Sequence, residues 1–396
     1  MMQISPETQL FIREHSSDDV RVLALQAKKY PDIDMPTAIT QIAGRKVAAE
    51  KIPSWWEIEK IWYPKHLSLE QCSSEITARY KARLLQGDSL TDLTGGFGID
   101  CSFLATGFKS ATYVERQEEL CEIAAHNFPV LNLNHINIKN EDGVTYLQAM
   151  SPVDCLFLDP ARRNEHGGKT VAISDCEPNV AELEELLLQK ANRVMIKLSP
   201  MLDLSLALKE LKQTQEVHIL SVNNECKELL ILLGQTSPTE ISIHCVNLST
   251  KGTQEEQHFV FTREQEQCSE CTYTDSLETY LYEPNASLLK AGAFRSIAAA
   301  YPVRKLHPNS HLYTSDTFIE NFPGRIFRIV NQCSFNKKEV KENLADLKKA
   351  NVTVRNFPAT VAELRKRIHL AEGGDTYLFA STLNNGQKVI IRCEKV

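Results

Sequence analysis

The stretch that most restricts what this chain can become is 89–100, Ser-Leu-Thr-Asp-Leu-Thr-Gly-Gly-Phe-Gly-Ile-Asp. Residues 90–93 alternate like a short buried strand. Gly95, Gly96 and Gly98 allow positive φ angles and a close approach of backbone to ligand, and 99–105 is apolar enough to be a helix packed back on a sheet. The first N–H groups of that helix would face whatever lies over the turn, which makes a small-molecule site out of backbone. A second strand, 111–114, ends in Glu115, whose carboxylate can accept hydrogen bonds from both hydroxyls of a ribose. Its distance from Gly98 is near the roughly 20 residues expected of an acidic ribose ligand in a nucleotide-binding βαβ unit. No Walker lysine follows the glycines, and Gly95-Gly96-Phe97-Gly98 lacks the spacing of a dinucleotide fingerprint. Asp92 would repel a pyrophosphate but suits a cationic amino group. The implied ligand carries a ribose and a positive charge.

These residues resemble the class I S-adenosylmethionine-dependent methyltransferases. The resemblance implies an Asp-x-x-x-Gly-x-Gly turn in which Asp92, Gly96 and Gly98 hold the methionyl part of the cofactor, with Thr94 and Gly95 beside it, and Glu115 binds the ribose. A third strand, 135–139, is followed by Asn-Glu-Asp-Gly, which puts Asp142 in the position that faces the adenine. A fourth, 153–158, runs into Asp159-Pro160-Ala161-Arg162-Arg163, where the family places its substrate-facing motif. Asp159, Pro160 and Arg162 are therefore the candidate catalytic group, Pro160 stiffening the loop. Enzymes that methylate exocyclic amines of bases usually show Asn/Asp-Pro-Pro-aromatic here, and this chain has Ala161 and Arg162 instead. Asp-Pro-x-Arg is closer to the RNA uridine C5 methyltransferases, which need a cysteine thiolate; Cys226 is the best placed cysteine, with an ordinary turn residue as the alternative. Arg162 and Arg163 could clamp a phosphate or pair with Glu165, the loop 164–169 with His166 could close over substrate, and Lys197 ends the fifth strand on the cleft side.

At 396 residues the chain has room for two to four domains, and 42% hydrophobic with 24% charged residues suits a soluble globular protein. There is no apolar run of membrane-spanning length and no secretory signal, and eleven scattered cysteines suggest a reduced, cytoplasmic protein. Cys268 and Cys271 lack further ligands, so no metal site is expected. The expected fold is α/β. Residues 1–82 form a helical region, in which the tryptophans of 55–62 read as core and 68–85 as one helix with Ser68 and Gln71 as a capping box. The run 71–77 could lie over the cofactor. Residues 83–274 form a Rossmann-like doubly wound methyltransferase sheet with an antiparallel closing hairpin, 216–222 with 228–233, then strands 241–247 and 258–262 and a linker at 263–275.

Residues 323–396 carry fourteen Lys plus Arg against seven Asp plus Glu, a net of +7, whereas the whole chain is −7 and the remainder therefore −14. A basic module on an acidic enzyme is the footprint of polyanion binding. The arrangement resembles a group of class I methyltransferases with a ferredoxin-like segment, here 275–322, and a THUMP-like RNA-binding domain, here 323–396. Asp159-Pro-Ala-Arg-Arg163, Ile196-Lys-Leu-Ser-Pro200, Glu225-Cys-Lys-Glu228 and Tyr282-Glu-Pro-Asn285 carry that resemblance. It implies methylation of a base in RNA, tRNA or rRNA, from S-adenosylmethionine. The other readings are an RNA-binding adaptor without catalysis and a methyltransferase acting on a protein or small molecule. The RNA, base and atom, and the oligomeric state, are left open.

Overall fold

The computed structural model describes residues 4–162, 172–236, 239–250 and 256–396. Two compact units divide the chain, residues 1–216 with 229–239 and residues 217–228 with 240–396.

The first unit opens with helices α1 (Pro6–Glu14), α2 (Val20–Leu25), α3 (Met35–Lys51), α4 (Pro53–Trp56), α5 (His66–Gln71) and α6 (Glu75–Ala82). Ser5, Asp19 and Asp34 cap the first three through their side chains, two of them followed by a proline at the start of the helix. Phe11, Leu23, Met35, Ala38 and Ile42 form one small core. A second joins Ala48, Ile52, Trp55, Ile61 and Tyr63 to Phe97 and Ile99, so the helical region shares its core with the glycine turn. Trp55 meets Phe97 edge-on at 5.2 Å, whereas Trp62 stacks on His126 and Trp56 is exposed. The expected single helix over 68–85 is two. Extended backbone at Cys72 and Ser74 separates α5 from α6, and α5 starts after Lys65 rather than at a Ser68 cap. Ser74 stands at the N-cap of the second helix and bonds to Thr77, and the break turns Ser73 inward, where its hydroxyl donates to Asp100 at 2.7 Å.

The sheet of this unit is built from β1 (Ser89–Asp92), β2 (Ser110–Glu115), β3 (Ile136–Asn140), β4 (Val153–Leu158) and β7 (Ala191–Leu198), with a ribbon of β5 (Ala161–Arg162) and β6 (Cys176–Glu177) after β4. Helices α7 (Ile99–Ala105), α8 (Glu118–Val130), α9 (Gly143–Ala149) and α10 (Val180–Lys190) make the crossovers. The strand order β3-β2-β1-β4-β7 is parallel throughout. After α11 (Leu204–Glu210) and β8 (Thr214–Val222), the returning strand β9 (Glu225–Gly234) lies antiparallel on β7, with Leu198 opposite Leu229. The chain runs outward from β1 to β3 and then crosses back to β4. The switch point thus falls between β1 and β4, where open α/β sheets place ligands at their carboxyl ends.

In the second unit, Asn223 and Asn224 turn β8 into β9 with φ of 50° and 67°, the two-residue geometry that matches strand twist. Strands β10 (Ser242–Leu248) and β11 (Glu256–Thr262) form an antiparallel pair. A helix, α12 (Arg263–Cys268), capped by Thr262 and Gln265, stands where a linker was expected. Next come β12 (Tyr280–Pro284), α13 (Ala286–Ala291), α14 (Ser296–Ala300), β13 (Arg304–Lys305) and β14 (Tyr313–Ser315). The chain ends with β15 (Gly324–Ser334), α15 (Lys337–Leu344), β16 (Asn351–Val354), α16 (Val361–Ile368), β17 (Thr376–Thr382) and β18 (Lys388–Lys395). These strands make one seven-stranded sheet in the order β13-β14-β12-β15-β18-β17-β16. Because β12 bonds directly to β15, residues on both sides of 323 share a sheet and a core of Leu281, Phe327, Phe379 and Ile391. Among the described residues no helix is long and apolar enough to cross a membrane.

Candidate active site

Four acids stand at or just beyond the carboxyl ends of adjacent strands: Asp159 after β4, Asp92 on β1, Glu115 on β2 and Asp142 after β3. Asp92 ends β1 and is 1% exposed. One of its carboxyl oxygens accepts from Thr94 N at 3.0 Å, while the other, Oδ2, is buried and has no partner among the described residues. Burial pushes this carboxyl well above the usual range, and the charges of Asp100, Asp159 and Glu115 push the same way. A buried acceptor left unpaired is costly, and among the described residues no donor meets it.

The turn above it has two kinds of glycine. Gly96 and Gly98 have φ of 53° and 87°, which a side chain would resist. Gly95 lacks a positive φ; it is glycine because a Cβ there would lie 2.2 Å from the Tyr113 ring. Tyr113, from β2, also donates its hydroxyl to Gly96 O at 2.5 Å and so pins the turn. Glu115 is nearly buried, its two carboxylate oxygens accepting from Gly96 N at 2.9 Å and Gln117 N at 2.8 Å. Each oxygen keeps a lone pair for a hydroxyl. Asp142 caps α9, accepting from Val144 N and Thr145 N at 3.0 Å. Gly143 beside it lies so close to β1 that a Cβ would sit 2.1 Å from Leu93 O.

Asp159, just beyond β4, is tied to the turn by its N–H, which donates to Thr94 Oγ1 at 2.6 Å. Its carboxylate accepts from Lys197 Nζ at 2.5 Å, and Lys197 also reaches Asp100 at 3.4 Å. Asp100, in the first turn of α7, pairs in addition with the fully buried Lys81 of α6 at 2.9 Å. Ser73 completes the group, taking a hydrogen bond from Lys81 and giving one to Asp100. Burial alone would raise the Asp100 carboxyl, but Lys81, Lys197 and Ser73 outweigh it and hold the group down at about 2. Burial raises Asp159, against the pull of Lys197. The Asp159 side chain is 37% open.

Lys197 was legible as a cleft residue; Lys81, Asp100 and Ser73 were not. The one available signal was Lys81 recurring at helical spacing with the buried Thr77 and Ala78, on a face that ought to be apolar. Pro160 and Ala161 follow Asp159, and Ala161 pairs with Glu177 and Arg162 with Cys176 in the β5–β6 ribbon. The Arg162 side chain and Arg163, Glu165, His166 and the rest of 164–169 lie outside the described residues. Cys226 belongs to the second unit. Burial pushes its thiol up to about 11, which keeps it protonated at neutral pH.

Comparison with known proteins gives a consistent result. A ferredoxin-like domain model matches residues 280–323, and a THUMP domain-like model matches residues 324–395. Among solved structures, a candidate methyltransferase from Porphyromonas gingivalis W83 is 34% identical, with 100% of both chains covered and a TM-score of 0.87. The chain belongs to the class I methyltransferase family. Two other similar structures are a candidate methyltransferase from Streptococcus mutans in complex with SAH and an rRNA methylase from Streptococcus thermophilus. They are 13% and 14% identical, each covering 40% of this chain, and 96% and 93% of their own chains, with TM-scores of 0.30 and 0.29. Likeness at that level adds no argument. No curated protein matches this methyltransferase.

Its THUMP-like module spends several basic residues internally. Arg325 and Arg355 both bind the buried Glu283, Arg328 pairs with Glu394, and Arg392 with Asp346. Lys337, Lys338, Lys341, Lys348, Lys349 and Lys366 are exposed and have no carboxylate partner among the described residues.

Proposed function

We propose that this methyltransferase uses S-adenosylmethionine to methylate RNA, a tRNA or an rRNA, presented by its basic THUMP-like module. The observation that carries the cofactor assignment is Asp92, a buried carboxyl with one oxygen unpartnered among the described residues, beside a turn of two positive-φ glycines. Asp92 would accept from the cofactor's ammonium, Thr94, Gly95, Gly96 and Gly98 would leave room for its methionyl part, Glu115 would take the ribose hydroxyls, and Asp142 would border the adenine. S-adenosylmethionine, when bound, supplies a methyl group made electrophilic by its sulfonium. Asp159, fixed by Thr94 and Lys197, faces the acceptor and can hold or remove its proton. Positioning of the acceptor and exclusion of water would supply much of the rate.

Two measurements test this reading. Calorimetric titration with S-adenosylmethionine should show binding that Asp92→Asn weakens by about tenfold or more, the loss of one charge-assisted bond worth about 1.5–3 kcal/mol. Unchanged affinity in that variant would remove Asp92 from the site. Transfer of tritiated methyl to total RNA from a strain lacking the protein should label one RNA species, and Asp159→Ala should abolish the label. Cofactor binding without labelled RNA would favour the adaptor, or a protein or small-molecule acceptor.

A further inference from the structure

We propose that the methyl acceptor at Asp159 is a hydroxyl oxygen, that of an RNA ribose, in place of the base atom expected from the sequence. The inference rests on the RNA methyltransferase reading above.

The charge around Asp159 carries it. Lys81, Asp100, Lys197 and Asp159 form a chain of alternating sign, with contacts of 2.9, 3.4 and 2.5 Å, and Ser73 braces its inner end. With all four ionised the chain sums to zero. Once Asp159 takes up a proton the sum becomes +1, and that charge lies against the acceptor. An amine acquires positive charge as it accepts a methyl group while Asp159 is still ionised, so the chain then sums to zero and offers it no net attraction. A hydroxyl gives up its proton and its oxygen becomes negative, so the Lys197 ammonium attracts it. Burial sharpens the effect, since Lys81 is 0% and Lys197 8% exposed.

Two further observations disfavour a base. Ala161 and Arg162 stand where methyltransferases of exocyclic amines carry the aromatic that stacks on an extruded base, so Asp159-Pro-Ala-Arg lacks that aromatic. Attack through a cysteine thiolate, which carbon methylation of a pyrimidine needs, is poorly served by a Cys226 thiol pushed up to about 11.

In the step itself, the acceptor O–H bond breaks and its proton passes to the Asp159 carboxylate. The freed electron pair forms the bond from oxygen to the methyl carbon of a sulfonium donor, and the pair of the broken C–S bond stays on sulfur, leaving a neutral thioether. Asp159 then returns its proton to solvent. Lys197 both sets the ionisation of Asp159 and attracts the negative oxygen, while Lys81 with Asp100 keeps Lys197 in place and is a positioning residue.

Two experiments separate this inference from the reading it rests on. In the ligand-free protein, a carbon-13 carboxyl titration should place Asp159 above the ordinary aspartate range, and Lys197→Met should raise it further by removing the adjacent cation. Lys197→Arg, which keeps the charge, should leave it near the wild-type position and serves if the Met variant does not fold. An Asp159 titration indifferent to the charge at 197 would overturn the pairing. Methyl-labelled RNA should then be hydrolysed in alkali, which cannot cleave next to a methylated 2′-hydroxyl. Label in alkali-resistant dinucleotides supports a ribose acceptor, and Asp159→Asn should reduce it by about 10²–10⁴-fold. Label in mononucleotides would sink the hydroxyl assignment while leaving an RNA methyltransferase. No label in any RNA would sink both.

Discussion

At the scale of single residues, Tyr113 and Asp100 organise the site without being expected to touch a ligand. Tyr113 closes over Gly95 and holds Gly96, so Gly95→Ala must displace the ring. Overpacking of this kind costs about 1–3 kcal/mol, and the variant should unfold at lower urea with an unchanged slope. Asp100 is held at about 2, below the ordinary carboxylate value of 3.8. A folded-state value lowered in this way stabilises the protein above pH 3.8, and that contribution should drain away as pH falls from there toward 2. Asp100→Asn removes the negative charge that faces the fully buried Lys81 and should cost about 3–5 kcal/mol in chemical denaturation. Adding Lys81→Met should recover part of the loss; a double variant no better than the single would mean that the pair is not what holds this region. The acids at the strand ends were legible in the sequence because spacing along a βαβ unit fixes where Asp92 and Glu115 lie. The Lys81–Asp100 pair was not, because the helical spacing of Lys81 with Thr77 and Ala78 says nothing of a counter-charge that arrives 19 residues later from another helix.

At the scale of elements, legibility follows how local the cause is. Apolar runs and glycine turns announced β1, β2, β4 and β7, and Asn223-Asn224 makes the hairpin turn through its own backbone preference. Periodicity merged α5 and α6, whereas Ser74 starts a new helix with local bonds to Thr77 and Ser73 turns inward to donate to Asp100. Ser73→Ala should therefore destabilise the protein by about 1–3 kcal/mol, the worth of a hydrogen bond to a charged group, and the thermal midpoint would report it. A neutral result would mean that this bond does not help to hold the break. The helix α12 escaped notice for a similar reason: its polar sequence looks like linker, and only the reciprocal bonds of Thr262 and Gln265 start it.

For the whole molecule, the net +7 of residues 323–396 against −14 elsewhere gathers the positive excess in the THUMP-like module, the distribution on which the RNA proposal rests. The structure narrows that count, because Glu283, Asp346 and Glu394 already engage four arginines. Replacing Lys337, Lys338 and Lys341 with alanine should weaken RNA binding and flatten its dependence on salt, while S-adenosylmethionine affinity stays unchanged. Filter binding at several ionic strengths would show this, and a slope untouched by the triple substitution would move the RNA surface elsewhere. The break between α5 and α6 also bears on how such a chain can be inherited. Ser73 and Lys81 are encoded ahead of the first strand, and the acid they serve is encoded after it. A lineage that exchanged its opening helices for others would bring in a foreign partner for Asp100. The opening helices are therefore not a free cassette, and positions 81 and 100 are bound to change together or not at all.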